Sequence, residues 1–192
     1  MNKPHPILAL LGLQAHKTGH LEKLLAAVGG FIGILVVVLI SRHYLGHEGA
    51  AWIAASMGAS AVLVFAVPHG PLSQPWPLLG GHVLSAFVGV SCAWLIPDPM
   101  IAAASAVALA ILAMQYLRCI HPPGGATALA AVVGGEGIQA LGFLYVITPV
   151  LVNVLVLLLM GVLFNYPFPW RRYPTALARI SKPAGGGENK GA

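Results

Sequence analysis

The chain has 192 residues, of which 58% are hydrophobic and only 8% charged, and its formal net charge is +5. An ordinary soluble domain carries roughly 25% charged residues, so the composition excludes a water-facing fold and points to lipid as the solvent. The positive balance is not a nucleic-acid footprint, because Lys3, Lys17 and Lys23 lie near one end and Arg171, Arg172, Arg179 and Lys182 near the other.

Residues 1–20 read as a polar leader. A spanning helix needs about 20 mostly apolar residues, and between Gly49 and Trp170 the only charged residues are Asp98, Arg118 and Glu136. Helices are predicted over 21–40 and 51–67, the second ending at Pro68. The first is read as a retained helix, since no small-residue cleavage pattern follows it. The four prolines of PHGPLSQPWP (68–77) predict a stretch without regular helix. Further helices are predicted over 79–96 and 100–117, separated by the sharp turn Pro97-Asp98-Pro99, then a short one over 126–133 and a long one over 138–165. Residues 166–192 form a cytoplasmic tail. In it Tyr166, Phe168, Trp170 and Tyr173, with Arg171 and Arg172, read as an interfacial anchor.

The expected fold is an all-α polytopic membrane protein, a bundle of four to six transmembrane helices that include short or broken ones. Gly58-Ala59-Ser60-Ala61-Val62 resembles Gly125-Ala126-Thr127-Ala128-Leu129 at the same place in each half, which predicts an internal repeat of three elements. Basic residues flanking both ends place both termini on the cytoplasmic side, and hence an even number of crossings. Six crossings with an inverted repeat and four with a parallel repeat both satisfy that condition.

The least lipid-like stretch inside this domain is Arg118-Cys119-Ile120-His121-Pro122-Pro123-Gly124-Gly125-Ala126-Thr127. The prolines end one helix, the glycines let the backbone turn, and a new helix then opens with free N–H groups and a positive dipole end. Such an end suits an anion. Gly124, Gly125, Ala126 and Thr127 would supply donors, Arg118 would attract the solute, and Gly58, Ala59 and Ser60 would form the opposite wall. Each residue also has a plainer reading: Arg118 as a snorkelling cation, His121 as a turn cap, and Gly58 to Ser60 as close helix packing. His82 and Asn153, at helix depth, suit polar gating or coupling, or simple interhelix hydrogen bonds.

His16/His20 and His43/His47 have i, i+4 spacing but no third ligand at suitable distance, so no metal or other cofactor is expected. Cys92 and Cys119 read as packing residues. No nucleophile–base order, phosphate loop or dinucleotide glycine pattern is present, so the chain is not expected to be an enzyme.

The stretch CIHPPGGATAL (119–129) resembles the signature of the HPP family of integral membrane proteins, and MGASAVLVFAVPHGPLSQPWPLLGGHVLSAFVGV (57–90) resembles that family's other characteristic block. His69-Gly70 departs from the expected pattern. The resemblance covers roughly 20–165 and implies a small bundle, usually described as four-spanning, with a transport role. Plastid and cyanobacterial relatives are associated with nitrite transport. The expectation is therefore a transporter or channel for a small inorganic anion, nitrite first, in a bacterial inner membrane as a homo-oligomer. Nitrate or formate would fit the same site. A non-transporting sensor or an assembly partner is the alternative outside transport.

Overall fold

The computed structural model describes residue 10 and residues 18–180. His16 falls outside them, and with it the His16/His20 pair. The regular elements among the described residues are all helices, with no strand. A continuous helical run, His20–Ala61, is broken at Gly46, whose φ of 67° and ψ of −163° lie outside helical space. Such a φ is open to glycine because it has no Cβ. The two limbs are α1 (His20–His47) and α2 (Gly49–Ala66). The first helix thus continues past residue 40 through Arg42, His43 and Tyr44, residues that present their polar ends without breaking the helix. His43 packs edge-on against Tyr44, and Arg42 reaches His47 Nε2 at 3.2 Å, which ties both histidines into the surface of α1.

The last turn of α2, Val62–Ala66, is wound as a π-helix. A 3-10 turn, Pro71–Ser73, then leads into α3 (Pro75–Leu95). Residues 75–77 were expected to be non-helical. They open α3 instead, because a proline in the first turn loses only an N–H that has no intrahelical partner anyway. Asp98 caps α4 (Pro99–Tyr116), accepting from the amides of Met100 and Ile101, both at 2.9 Å. After a tight turn comes α5 (Pro123–Val133), then the single turn α6 (Glu136–Gln139). The expected long helix over 138–165 is divided: α7 (Val146–Asn165) starts later and is π-wound at its head, with Thr148 non-helical (φ −129°) before Pro149. A proline inside a helix removes one hydrogen bond and clashes with the preceding turn. A 3-10 turn, Pro169–Arg171, and α8 (Thr175–Ile180) complete the described residues.

Five of these helices, α1, α2, α3, α4 and α7, are long and apolar enough to cross a membrane. At about 1.5 Å per residue, the 11 residues of α5 fall short of the hydrocarbon thickness. Helix length alone therefore gives five candidate crossings, not the even number that the basic flanks predict.

α3 is the hub, packed on α4, α5 and the head of α7, while the α1–α2 run packs on α7 and α5. Lipid offers no hydrophobic drive between helices, so close approach through small residues must hold them together. Ala102, Ala106, Ala110 and Met114 form the buried stripe of α4. A methyl placed on Gly89 of α3 would lie 2.5 Å from the Ala128 carbonyl oxygen of α5. One on Gly124 would lie 2.8 Å from both the Gly81 carbonyl oxygen and Ser85 Oγ. The second core, with Ile53, Met57, Phe65, Leu78, Tyr145 and Leu157, fills the space between α2, α3 and α7.

The segment after α7 is not a free interfacial anchor. Arg171 is 1% exposed and paired with Glu22 at the start of α1. Its Nε donates to Asn165 Oδ1 at 3.0 Å and its Nη2 to the Phe65 carbonyl in the π-wound turn. Trp170 also donates to Glu22, at 3.0 Å, and the buried Tyr173 hydroxyl donates to Ser73 O at 2.7 Å. Burial raises the Tyr173 phenol above its ordinary range, so it stays a donor. A guanidinium matches several acceptors at once in a fixed plane. That explains why this one is drawn inward while Tyr166 and Trp170 stay exposed.

Candidate functional site

His121 owes its position to how α4 stops. Arg118 takes a left-handed conformation (φ 54°), its amide donates to Gln115 O at 3.2 Å, and the Cys119 amide donates to Met114 O at 3.0 Å. This pair of bonds is the Schellman arrangement, usually built on glycine. It turns the chain back so that Cys119 and His121 enter the bundle while Arg118 stays exposed. Gly81 of α3 makes room: a Cβ there would lie 2.5 Å from His121 Cβ.

The donors expected at the start of α5 are already occupied. The Gly124 amide donates to His121 O at 2.8 Å and the Gly125 amide to Pro122 O at 3.1 Å. The cause is Pro122, which is already in a right-handed helical conformation (φ −52°, ψ −39°), so the turn closes before the helix opens. Gly124 is buried against α3, whereas Pro122 and Ala126 face outward.

The polar side chains beside this turn are gathered too, and they pair with one another. Ser60, His82, His121 and Thr127 are all fully buried and hydrogen-bonded in series. Ser60 Oγ lies 2.7 Å from His82 Nε2 and 2.9 Å from His121 Nε2. Thr127 Oγ1 lies 2.7 Å from His82 Nδ1, and His121 Nδ1 lies 2.8 Å from the Leu72 carbonyl. The two imidazoles meet edge-on with centroids 4.9 Å apart. Ser60 and Thr127 are the hydroxyls of the two matching Gly-Ala-Ser and Gly-Ala-Thr segments, and they hold the two nitrogens of one histidine.

A carbonyl can only accept, so His121 Nδ1 carries a hydrogen and, in the neutral ring, Nε2 is bare. Ser60, whose Oγ also lies 3.2 Å from the Ser56 carbonyl, satisfies both rings when it donates its hydrogen to His121 Nε2 and accepts from His82 Nε2–H. His82 Nδ1, left bare, accepts from Thr127. The order Thr127, His82, Ser60, His121, Leu72 thus has one direction throughout. Every buried donor in it has a partner, the condition under which polar groups are tolerated at this depth. Tyr145, itself buried, donates to Thr127 O at 3.1 Å and holds that end of α5.

The remaining sequence candidates lie elsewhere. Gly58 and Ala59 precede Ser60 on α2 but turn away from the buried side, and Gly58 has open space where a Cβ would be. Asn153 of α7 is buried and donates to Ser41 Oγ of α1 at 2.7 Å, an interhelix bond apart from the histidine series. The Leu72 carbonyl, Tyr145 and Ser41 were not anticipated. A backbone carbonyl leaves no trace in residue type, and the two side chains are commonplace in membrane helices.

Residues 15–174 match the model of the HPP transmembrane region. Two transmembrane proteins of Dictyostelium discoideum are 39% and 40% identical over 151 residues, 77% of this chain. The match takes in 48% of the first and 53% of the second, so the chain spans about half the length of these relatives. No solved structure matches significantly. Family match, relatives and apolar bundle agree: the chain belongs to the HPP family of integral membrane proteins.

Proposed function

We propose that this protein is a transporter or channel for a small inorganic anion, nitrite first, and not an enzyme. The observation that carries the reading is the buried series Ser60, His82, His121 and Thr127, gathered from three helices and the α4–α5 turn. Ionisable side chains buried among membrane-spanning helices are functional candidates by default. Hydroxyls and neutral imidazoles donate to a small anion without requiring a fixed countercharge. Because such donors read size and charge, nitrate and formate remain competing substrates. The series is closed to solvent in this conformation, so transport involves opening beside it. Arg118 supports the reading from outside: it occupies a left-handed position that glycine would hold with less strain, and it keeps a cation exposed where the chain enters the bundle. A cytoplasmic location of both termini, supported by the basic flanks, completes the proposal together with an inner membrane and a homo-oligomer.

Purified protein in liposomes tests it by nitrite uptake measured against protein-free vesicles. The wild type should take up nitrite, and His82→Phe should lower the rate at least about tenfold, equivalent to roughly 1.4 kcal/mol in the barrier. Arg118→Gly should stabilise the fold by about 1 kcal/mol, through relief of the left-handed strain, and yet slow uptake at low salt. Uptake equal to that of empty vesicles would sink the reading.

A further inference from the structure

We propose that the Thr127–His82–Ser60–His121 series is a binding site for one transferable proton, and that this proton moves together with the anion. The second half rests on the transport reading above; the first does not. The argument is a count of hydrogens against acceptors. In the neutral series four hydrogens make four bonds, ending on the Leu72 carbonyl. Let one proton arrive at His82 Nδ1, delivered by an acid that leaves as its anion. His82 Nε2 gives its hydrogen to Ser60 Oγ as Ser60 gives its own to His121 Nε2. The charge now rests on the His121 imidazolium, whose Nδ1–H still donates to Leu72 O. All three internal bonds are remade with reversed direction: His121 to Ser60, Ser60 to His82, and His82 to Thr127.

The displaced Thr127 hydrogen also has somewhere to go, since the Pro123 carbonyl lies 3.5 Å from Thr127 Oγ1. Five hydrogens then make five bonds. One proton has entered, none has been lost, and no buried donor is orphaned. A structural polar cluster has no need to be satisfied in both protonation states.

What the series lacks is a countercharge. The rings face each other from α3 and the α4–α5 turn. Around them stand Ser60 and Ser56 of α2, Ser85 of α3, Thr127 of α5, Tyr145 on the Thr127 carbonyl, and Cys119 against Gly80. Of the carboxylates whose side chains are described, Glu22 is paired with Arg171, Asp98 caps α4 and Glu136 is at the surface. An imidazolium taken out of water without a partner is costly. A monovalent anion arriving beside it removes that cost, so proton and anion favour each other's binding and cross as a neutral pair.

Two readouts test the two halves. In wild-type protein carrying 15N-histidine in lipid nanodiscs, acidification should convert His82 from the Nε2–H to the Nδ1–H tautomer while His121 becomes the cation, as one event. Ser60→Ala should uncouple the two rings. A His82 tautomer that never changes, or rings that titrate independently in the wild type, would overturn the proton site. In liposomes with the membrane potential clamped, the nitrite uptake rate above that of protein-free vesicles should rise about tenfold per unit of inward proton gradient, the dependence expected for one proton per anion. Uptake indifferent to that gradient overturns the coupling and leaves the transport reading standing. The tautomer change without any uptake upholds the proton site and removes the transport reading.

Discussion

His121→Ala is expected to abolish nitrite uptake and to lower the melting temperature of the detergent-solubilised protein markedly. The ring is fully buried, so its loss leaves a cavity beside Gly81 and the edge of His82. It also takes the acceptor from Ser60 and the donor from Leu72 O. An unsatisfied buried group costs about 1–3 kcal/mol, and large-to-small changes in a packed core cost a few more. A total of roughly 3–5 kcal/mol is a large share of the stability of a small domain. His121→Asn separates the two effects. Its amide can still donate to Leu72 O but cannot offer Nε2 to Ser60, so stability should partly return while uptake should not. Wild-type uptake by His121→Ala would remove the histidine series from the mechanism.

Arg171→Met should destabilise the fold by about 3 kcal/mol, the lower part of the range for breaking a buried ion pair, because Glu22 is 26% exposed and can regain water. The loss would be felt at α1, which Glu22 opens, at Asn165 near the end of α7, and at the Phe65 carbonyl of the π-wound turn. Adding Glu22→Gln should cost much less than it does alone, the mark of coupled neighbours. Nitrite uptake per folded molecule should not change, since the Arg171 cluster shares no bond with the histidine series. Additive losses in thermal melts of the two single variants and the double variant would refute the pairing.

The helix boundaries show where local reading succeeds. Pro97 follows the end of α3 and the Asp98 side chain caps α4, so the α3–α4 turn was legible from three residues. Pro75 and Pro77 misled because a proline at a helix start and a proline in a loop look alike without the helix that follows. The split of 138–165 was hidden for a related reason: Thr148-Pro149 sits in an uninterrupted apolar run, and hydropathy does not register backbone direction.

The site divides in the same way. Ser60, His82, His121 and Thr127 could each be picked out as polar groups in apolar surroundings. Their partnership could not be seen, since Ser60 and His121 are 61 positions apart and meet only because α2, α3 and the α4–α5 turn converge. The amides of Gly124 and Gly125 illustrate the converse. Residue type marked them as free donors, but the conformation of Pro122 sent them to nearby carbonyls.

Amino-acid order alone determined the solvent, the apolar helices and the family blocks around His121-Pro122-Pro123, because hydropathy and turn chemistry act over a few neighbouring residues. Only the tertiary structure decided that Arg171 lies inside with Glu22 and that two histidines share one serine. Hydrogen-bond and ion-pair partners are chosen by which helix faces cross, and that is a property of the packed bundle.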